Sequence, residues 1–161
     1  SRLDGRPPPM SNTEPRIPVL VSACLLGLQT RYDGGHRRSE ALLRHLREQD
    51  LLPVPVCPEQ LGGLPTPRTP AHIQRGDGHS VLDGRARLLN MNEDDVTANY
   101  VRGAEAALAV AKLTGARRAF LKSKSPSCGL RCIKRGGETL PGSGVAAALL
   151  QRAGLEIEEI D

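Results

Sequence analysis

The four cysteines have the widest range of possible chemical roles in this chain, since a thiolate can bind a metal, hold an iron–sulfur cluster or act as a nucleophile. Cys128 and Cys132 lie in the stretch FLKSKSPSCGLRC, separated by three residues, whereas Cys24 and Cys57 lie far upstream. This spacing admits four interpretations of the stretch. It is half of a disulfide, a zinc knuckle, a reactive thiol, or one part of a site assembled from distant segments.

The compartment decides between disulfides and free thiols. None of the 161 residues lies in an apolar run near the roughly 20 residues that cross a bilayer, and the N-terminal segment lacks the apolar core of a secretory signal. We expect residues 1–16 to form a disordered leader, with Ser1–Pro9 as a cloning remnant before a natural start at Met10. We therefore expect a cytoplasmic protein with reduced thiols, which favours metal binding or catalysis.

The loop-forming neighbours of three cysteines argue against a purely structural role. A free cysteine is often a small buried hydrophobe, and this interpretation suits Cys132 best. The other three stand in the motifs Ser-Ala-Cys, Cys-Pro-Glu and Ser-Pro-Ser-Cys-Gly, which are typical of loops. A metal or cluster site is therefore the favoured interpretation for Cys24, Cys57 and Cys128.

Three predicted strands would bring these cysteines together. Short apolar runs predict strands over Ile17–Val21, Val54–Val56 and Ala119–Leu121. In parallel α/β sheets, ligands bind beyond the carboxyl ends of the strands. We therefore expect one pocket to collect the thiols that follow these strands, which are Cys24, Cys57 and Cys128.

The other segments complete an alternating α/β pattern. We predict a helix over 39–50 with Ser39 as N-cap, and a β-hairpin over 79–90 that turns on Asp83-Gly84. We also predict a helix over 92–115 with an acidic first turn and Gly115 as C-cap. A turn-rich excursion over 130–144, a short helix over 144–154 and a strand over 155–160 follow.

This order predicts an α/β fold. We expect a three-layer Rossmann-like sandwich with a mostly parallel central sheet and a small β-hairpin excursion, over residues 17–161 as one domain. The Pro- and Gly-rich loop after Cys57 is long for such a domain, and long ordered loops are usually functional.

Two kinds of metal site suit this arrangement. Structural zinc takes four N/S ligands, and Cys132 or a histidine would supply the fourth. A 4Fe–4S cluster held by three thiolates leaves one iron open, as in catalytic metal sites. Lys122 and Lys124 either offset the charge of the thiolates or form a solvated strand end.

Four motifs resemble those of the DUF523 family, whose characterised members are thiouracil desulfurases (desulfidases). They are SACLLG, RYDG, VCPEQLGGLPTPR and LKSKSPSCG, and in this order they span nearly the whole predicted domain. The resemblance implies a 4Fe–4S cluster held by Cys24, Cys57 and Cys128, with Cys132 outside it. It also implies an acidic residue and a serine beside the cluster, which map to Glu59 and Ser125.

The resemblance further implies hydrolysis of a thiolated pyrimidine, in which 2-thiouracil and water give uracil and sulfide without a net redox change. The substrate sulfur would bind the open iron, Glu59 would be the general base, and Ser125 would hydrogen-bond or relay a proton to the ring nitrogen. We expect Ser22 and Lys124 to bind substrate. Arg68 either binds substrate or braces its loop.

Two alternatives come from other functional classes. One is a zinc-stabilised binding module without catalysis, which uses all four cysteines. The other is a desulfurase that acts on thiolated nucleotides of tRNA. Aromatic residues make up 2% of the chain and its net charge is only +4, which disfavours recognition of RNA by base stacking and favours a small-molecule substrate. The sequence makes no prediction about the oligomeric state.

Overall fold

A four-stranded parallel sheet forms the centre of the fold in the computed structural model, which describes residues 16–161. The predicted leader therefore lies, except for Arg16, outside the described residues. In chain order the elements are β1 (Ile17–Ser22), α1 (Glu40–Glu48), β2 (Leu51–Val56), α2 (Pro58–Leu61), β3 (Ala71–Ile73), α3 (Gly78–Leu82), β4 (Leu88–Asn90), α4 (Thr97–Thr114), β5 (Arg118–Lys122), β6 (Cys132–Arg135), β7 (Glu138–Pro141), α5 (Val145–Arg152) and β8 (Glu156–Ile160).

The strand order of the central sheet is β2-β1-β5-β8, with every pair parallel. The chain moves outward from β1 to β2 and then returns to place β5 on the other side of β1. The order thus reverses between β1 and β5, which is where ligands bind in sheets of this type. Pro53 and Pro55 lack an N–H group, and both lie in β2, an edge strand where an unpaired position is tolerated.

Helices cover both faces of the sheet, which confirms the predicted α/β fold. Val19 and Val21 of β1 pack with Leu42 and Leu46 of α1 on one face. Leu20, between them in sequence, points to the opposite face, since side chains alternate along a strand. There it packs with residues of α4 and α5, namely Ala111, Ala147 and Leu150.

The predicted helix boundaries hold where a capping group specifies them. Ser39 is the N-cap of α1, and its hydroxyl accepts a hydrogen bond of 3.1 Å from the backbone N–H of Leu42. Gly115 ends α4 in the left-handed conformation at φ 77°. No helix within residues 16–161 is long and apolar enough to span a membrane.

The β-hairpin predicted over 79–90 is wrong. Asp77 caps a helix there, because its carboxylate accepts hydrogen bonds from the N–H groups of His79 and Ser80, and the Ser80 hydroxyl accepts one from the Asp77 N–H. This capping box outweighs the Asp83-Gly84 turn signal, and α3 separates β3 from its antiparallel partner β4. A tight hairpin forms instead from β6 and β7, in the segment predicted to be only turn-rich.

The acidic first turn predicted for the long helix is also wrong. The helix α4 begins at Thr97, with no acidic residue in its first turn. The acidic residues form a turn before it, in which Asn90 Oδ1 accepts hydrogen bonds from the N–H groups of Asn92 and Asp94. Asp95 Oδ1 accepts one of 2.9 Å from the N–H of Thr97. These side chains compete with the backbone for hydrogen bonds, so they favour a turn over a helix.

Two glycines allow α2 to lie directly against α4. A Cβ atom added at Gly103 would come 1.8 Å from the carbonyl oxygen of Pro58, and one added at Gly62 would come 1.9 Å from that of Asn99. Both contacts are with backbone atoms, which cannot move aside without shifting a helix. Since α2 carries Glu59, this contact positions that side chain.

We expect Gly103→Ala to destabilise the protein by about 1–3 kcal/mol, the usual cost of overpacking. Helix propensity alone predicts the opposite, a gain of about 1 kcal/mol for alanine over glycine. Urea denaturation measures the difference. The exposed Ala109→Gly in the same helix isolates the propensity effect and should cost about 1 kcal/mol. A stabilised Gly103→Ala would show that the two helices do not pack at this distance.

Candidate active site

Three cysteines converge on one cavity at the carboxyl edge of the sheet. Cys24 lies in a 3-10 turn directly after β1, Cys57 follows β2 as the N-cap of α2, and Cys128 lies in a turn after β5. The cavity has a volume of about 710 Å³ and lies where the strand order reverses. All the residues that the sequence analysis selected for the site line it: Ser22, Cys24, Cys57, Glu59, Arg68, Lys124, Ser125 and Cys128.

Hydrogen bonds within a turn present Cys128 to the cavity. The Ser125 hydroxyl oxygen accepts the N–H groups of Ser127 at 3.1 Å and Cys128 at 3.0 Å. This pattern is common for serine before proline in a turn, and it fixes the backbone at Cys128. On the neighbouring strand, Ser22 Oγ accepts the N–H of Lys122 at 2.9 Å and so joins β1 to β5.

Burial raises the pKa of all three thiols. The pKa of Cys128 rises to about 12, and those of Cys24 and Cys57 are raised less. For Cys24, the positive charges of Arg31 and Lys122 oppose the effect of burial. The protein without a bound metal therefore keeps these thiols protonated at neutral pH, and binding of a metal by their thiolates must release protons.

We expect the protein without metal to lose stability as the pH rises above about 8.5, where thiols of the unfolded chain ionise. The folded chain retains those protons up to its raised pKa values, so the unfolded state binds fewer protons and the free energy of unfolding falls. Urea denaturation between about pH 7 and pH 10 measures this fall. It should be smaller in Cys128→Ala, and an equal fall in that variant would contradict the raised pKa of Cys128.

The arrangement of the cysteines does not favour a site for a single metal ion. Among residues 16–161, no three His, Cys, Asp or Glu side chains are placed to hold one ion. Zinc would require sulfurs about 4 Å apart, given a Zn–S distance of about 2.3 Å. Cys132 is a member of β6 and does not line the cavity, which disfavours the alternative of a zinc site that uses all four cysteines. His72 also lines the cavity.

Glu59 is held at both of its carboxylate oxygens. Arg68 Nε donates to Oε1 at 2.9 Å, and the Ser127 hydroxyl donates to Oε2 at 3.0 Å. The side chains of Arg68 and Glu59 are 6% and 14% exposed, so this ion pair is largely screened from water. The negative charge of Glu59 also adds to burial in raising the pKa of Tyr100, a buried residue of α4 that lines the cavity.

Arg68 also braces the proline-rich loop, one of the two roles considered for it. Its guanidinium donates to the carbonyl oxygens of Thr30 and Pro65, at 2.9 and 3.2 Å, and to the hydroxyl of Thr66 at 2.9 Å. Its backbone N–H donates to the carbonyl oxygen of Tyr32 at 2.7 Å. One side chain therefore ties together the loop after β1, the loop after α2 and the carboxylate of Glu59.

Two further residues of this site, Ser127 and Arg31, were not predicted from the sequence. Ser127 contacts Glu59, whereas the selected Ser125 stabilises the turn. Nothing in the local pattern SPSC distinguished Ser127 as a residue of the site. Arg31 lines the cavity with a buried Nε that has no hydrogen-bond partner in the described part of the chain. The RYDG motif contained Arg31, but no role was assigned to this residue from the sequence.

Comparison with known proteins agrees with this geometry. The profile of the 2-thiouracil desulfurase family matches residues 19–160. An uncharacterized protein of Bacillus subtilis (strain 168), YbbK, is 44% identical over an alignment of 142 residues, which covers 86% of this chain and 93% of that protein. A solved structure described as a 4Fe–4S-dependent thiouracil desulfidase, TudS, superposes with a TM-score of 0.74 at 39% identity, over 89% of this chain and 91% of the other. The chain therefore belongs to the 2-thiouracil desulfurase family.

Proposed function

We propose that this chain is a 4Fe–4S-dependent desulfurase that hydrolyses a thiolated pyrimidine, so that 2-thiouracil and water give uracil and hydrogen sulfide. The observation that carries this proposal is the convergence of Cys24, Cys57 and Cys128 with Glu59 on one cavity, in a member of this family. Free thiols suit a reducing compartment, so we place the reaction in the cytoplasm.

The residues of the cavity fit a cluster better than a single ion. The three cysteines come from separate loops, and no three potential ligands among residues 16–161 are placed for one ion, whereas in a cluster each thiolate binds a different iron. Arg31 and Lys122 bring positive charge to Cys24, and the buried Arg31 Nε lacks a partner among residues 16–161. These cations would offset the negative charge of a thiolate-bound cluster. When bound, such a cluster supplies an iron without a protein ligand, a soft Lewis acid for the sulfur of a C=S group.

Glu59 is the base in this proposal. Its carboxylate lines the cavity and, held by Arg68, takes a proton from the water that attacks the ring carbon bearing sulfur. The new C–O bond replaces the C–S bond, and the sulfur leaves as hydrosulfide. The proton is then available to the leaving sulfur or to a ring nitrogen, so no electrons are gained or lost.

Three further residues would bind the substrate. Ser125 can turn its O–H from Ser127 toward a ring nitrogen while its oxygen still accepts two backbone N–H groups. Ser22 Oγ accepts the Lys122 N–H, and its hydroxyl proton can turn between Cys128 and a substrate in the cavity. Lys124 lines the cavity from a left-handed backbone position at φ 66°, and its ammonium would donate to the pyrimidine carbonyl.

We expect Glu59→Gln to lower kcat for sulfide release from 2-thiouracil by about 10²- to 10⁴-fold, the usual contribution of a general base. The amide keeps the shape of the side chain but accepts no proton, so the cluster should still bind. The assay uses anaerobically reconstituted protein and measures both sulfide and iron content. Glu40→Gln, at an exposed ion pair with Arg38, should leave the rate unchanged. Full activity in Glu59→Gln would remove Glu59 as the base.

The same assay tests the alternative of an RNA substrate. A small-molecule enzyme releases sulfide from the free base or nucleoside and leaves intact thiolated tRNA unchanged. Faster release from intact tRNA would favour the alternative. A reconstituted wild-type protein that is colourless and free of iron would overturn the proposed function.

A further inference from the structure

We infer that Ser127 is a positioning residue that joins Glu59 and Ser125 into one hydrogen-bonded unit and orients the Glu59 carboxylate toward the cavity. This inference rests on the proposed function. Ser127 is only 1% exposed, and its hydroxyl lies 3.0 Å from Glu59 Oε2 and 3.1 Å from Ser125 Oγ. A buried hydroxyl with two such partners has a restricted set of orientations.

The direction of each hydrogen bond follows from the chemistry of its partners. An ionised carboxylate can only accept, so Ser127 must donate its single proton to Glu59. The contact between the two serine hydroxyls must then be donated by Ser125. In the protein without substrate, hydrogen bonds therefore run from Ser125 through Ser127 to Glu59, in one direction.

Cys128 Sγ is a second possible acceptor for the Ser127 hydroxyl proton, but Glu59 is the better one. Its sulfur lies 3.6 Å from Ser127 Oγ, against 3.0 Å for the carboxylate oxygen of Glu59. Sulfur is a weaker acceptor than an ionised carboxylate oxygen, and the longer distance weakens its contact with the Ser127 hydroxyl further. The Ser127 hydroxyl therefore donates its hydrogen bond to Glu59, although Ser127 is adjacent to Cys128 in sequence.

Ser127 and Arg68 together define the plane of the carboxylate. Arg68 holds Oε1, and with this contact alone the carboxylate can still swing through the range of angles that one hydrogen bond tolerates, since its last side-chain torsion is broad. The second contact, from Ser127 to Oε2, narrows that range. Each oxygen retains a further lone pair, and the orientation of these lone pairs decides whether a water in the cavity is aligned for proton transfer.

We expect Ser127→Ala to lower kcat about 10- to 100-fold with KM changed less than about twofold, since a displacement of about 1 Å can cost about 10²-fold. Iron content, sulfide content and the visible spectrum of the reconstituted protein should equal those of wild type. Ser127→Thr keeps the hydroxyl and should recover kcat to within about fivefold of wild type. The control is Ser143→Ala, which removes another buried serine hydroxyl nearby, bonded to the carbonyl oxygen of Leu130, and should leave kcat unchanged.

A double-mutant cycle separates positioning from a general structural effect. Glu59→Asp withdraws the carboxylate from Ser127, so adding Ser127→Ala to that variant should cost less than about twofold in kcat. Equal losses in both backgrounds, or loss of the cluster in Ser127→Ala, would overturn the inference while wild type stays active. Failure of wild type itself to release sulfide would overturn the proposed function and the role of Ser127 with it.

Discussion

Cys128→Ala is expected to abolish cluster binding and sulfide release together. Cys128 contributes one of three thiols to the cavity, and no other cysteine is available to replace it, since Cys132 lies in β6 outside the lining. With two thiolates, two irons of a 4Fe–4S cluster would lack protein ligands, and burial of the empty position would hinder water from replacing the sulfur. We expect less than about 1% of wild-type sulfide release, since a lost ligand removes the site rather than one catalytic contact.

Three measurements after anaerobic reconstitution test this result: iron per chain, visible absorption of the cluster and sulfide release from 2-thiouracil. Cys132→Ala is the matched control, because it removes a thiol four positions along the same segment. It should bind iron and release sulfide as wild type does. A cluster of normal iron content in Cys128→Ala would remove Cys128 from the ligand set, and loss of the cluster in Cys132→Ala would place Cys132 in it.

Replacing Arg68 with alanine is expected to lower the free energy of unfolding by about 3–5 kcal/mol, the cost of removing one partner of a buried ion pair. Glu59 would keep its negative charge in a site where its side chain is only 14% exposed. The carbonyl oxygen of Thr30 and the hydroxyl of Thr66 would lose a hydrogen-bond donor as well. This loss is a large fraction of the 5–15 kcal/mol or so that stabilises a typical domain.

Urea denaturation of the protein without cluster measures this loss at neutral pH. Arg152→Ala is the control, since Arg152 pairs with Asp83 at positions 41% and 36% exposed, and exposed pairs contribute about 0–1 kcal/mol. Adding Glu59→Gln to Arg68→Ala should recover part of the loss, because the uncompensated charge is removed. A loss below about 1 kcal/mol in Arg68→Ala would show that water reaches this pair.

Local signals in the sequence were sufficient for much of the fold. The apolar runs predicted β1, β2 and β5, Ser39 predicted the start of α1, and Gly115 predicted the end of α4. Each of these depends on neighbours within a few residues. The prediction failed at residues 79–90 because two local signals conflict there, the capping box at Asp77 and the turn at Asp83-Gly84, and the sequence contains no measure of which is stronger.

By itself, the sequence determined that Cys24, Cys57 and Cys128 meet at the site, because cysteines that follow parallel strands must lie at one edge of the sheet. Only the tertiary structure decided which side chains touch. The contacts of Glu59 with Arg68 and Ser127 join residues 9 and 68 positions apart. They depend on the strand order β2-β1-β5-β8 and on the close packing of α2 on α4, both of which arise from long-range packing that no local pattern encodes.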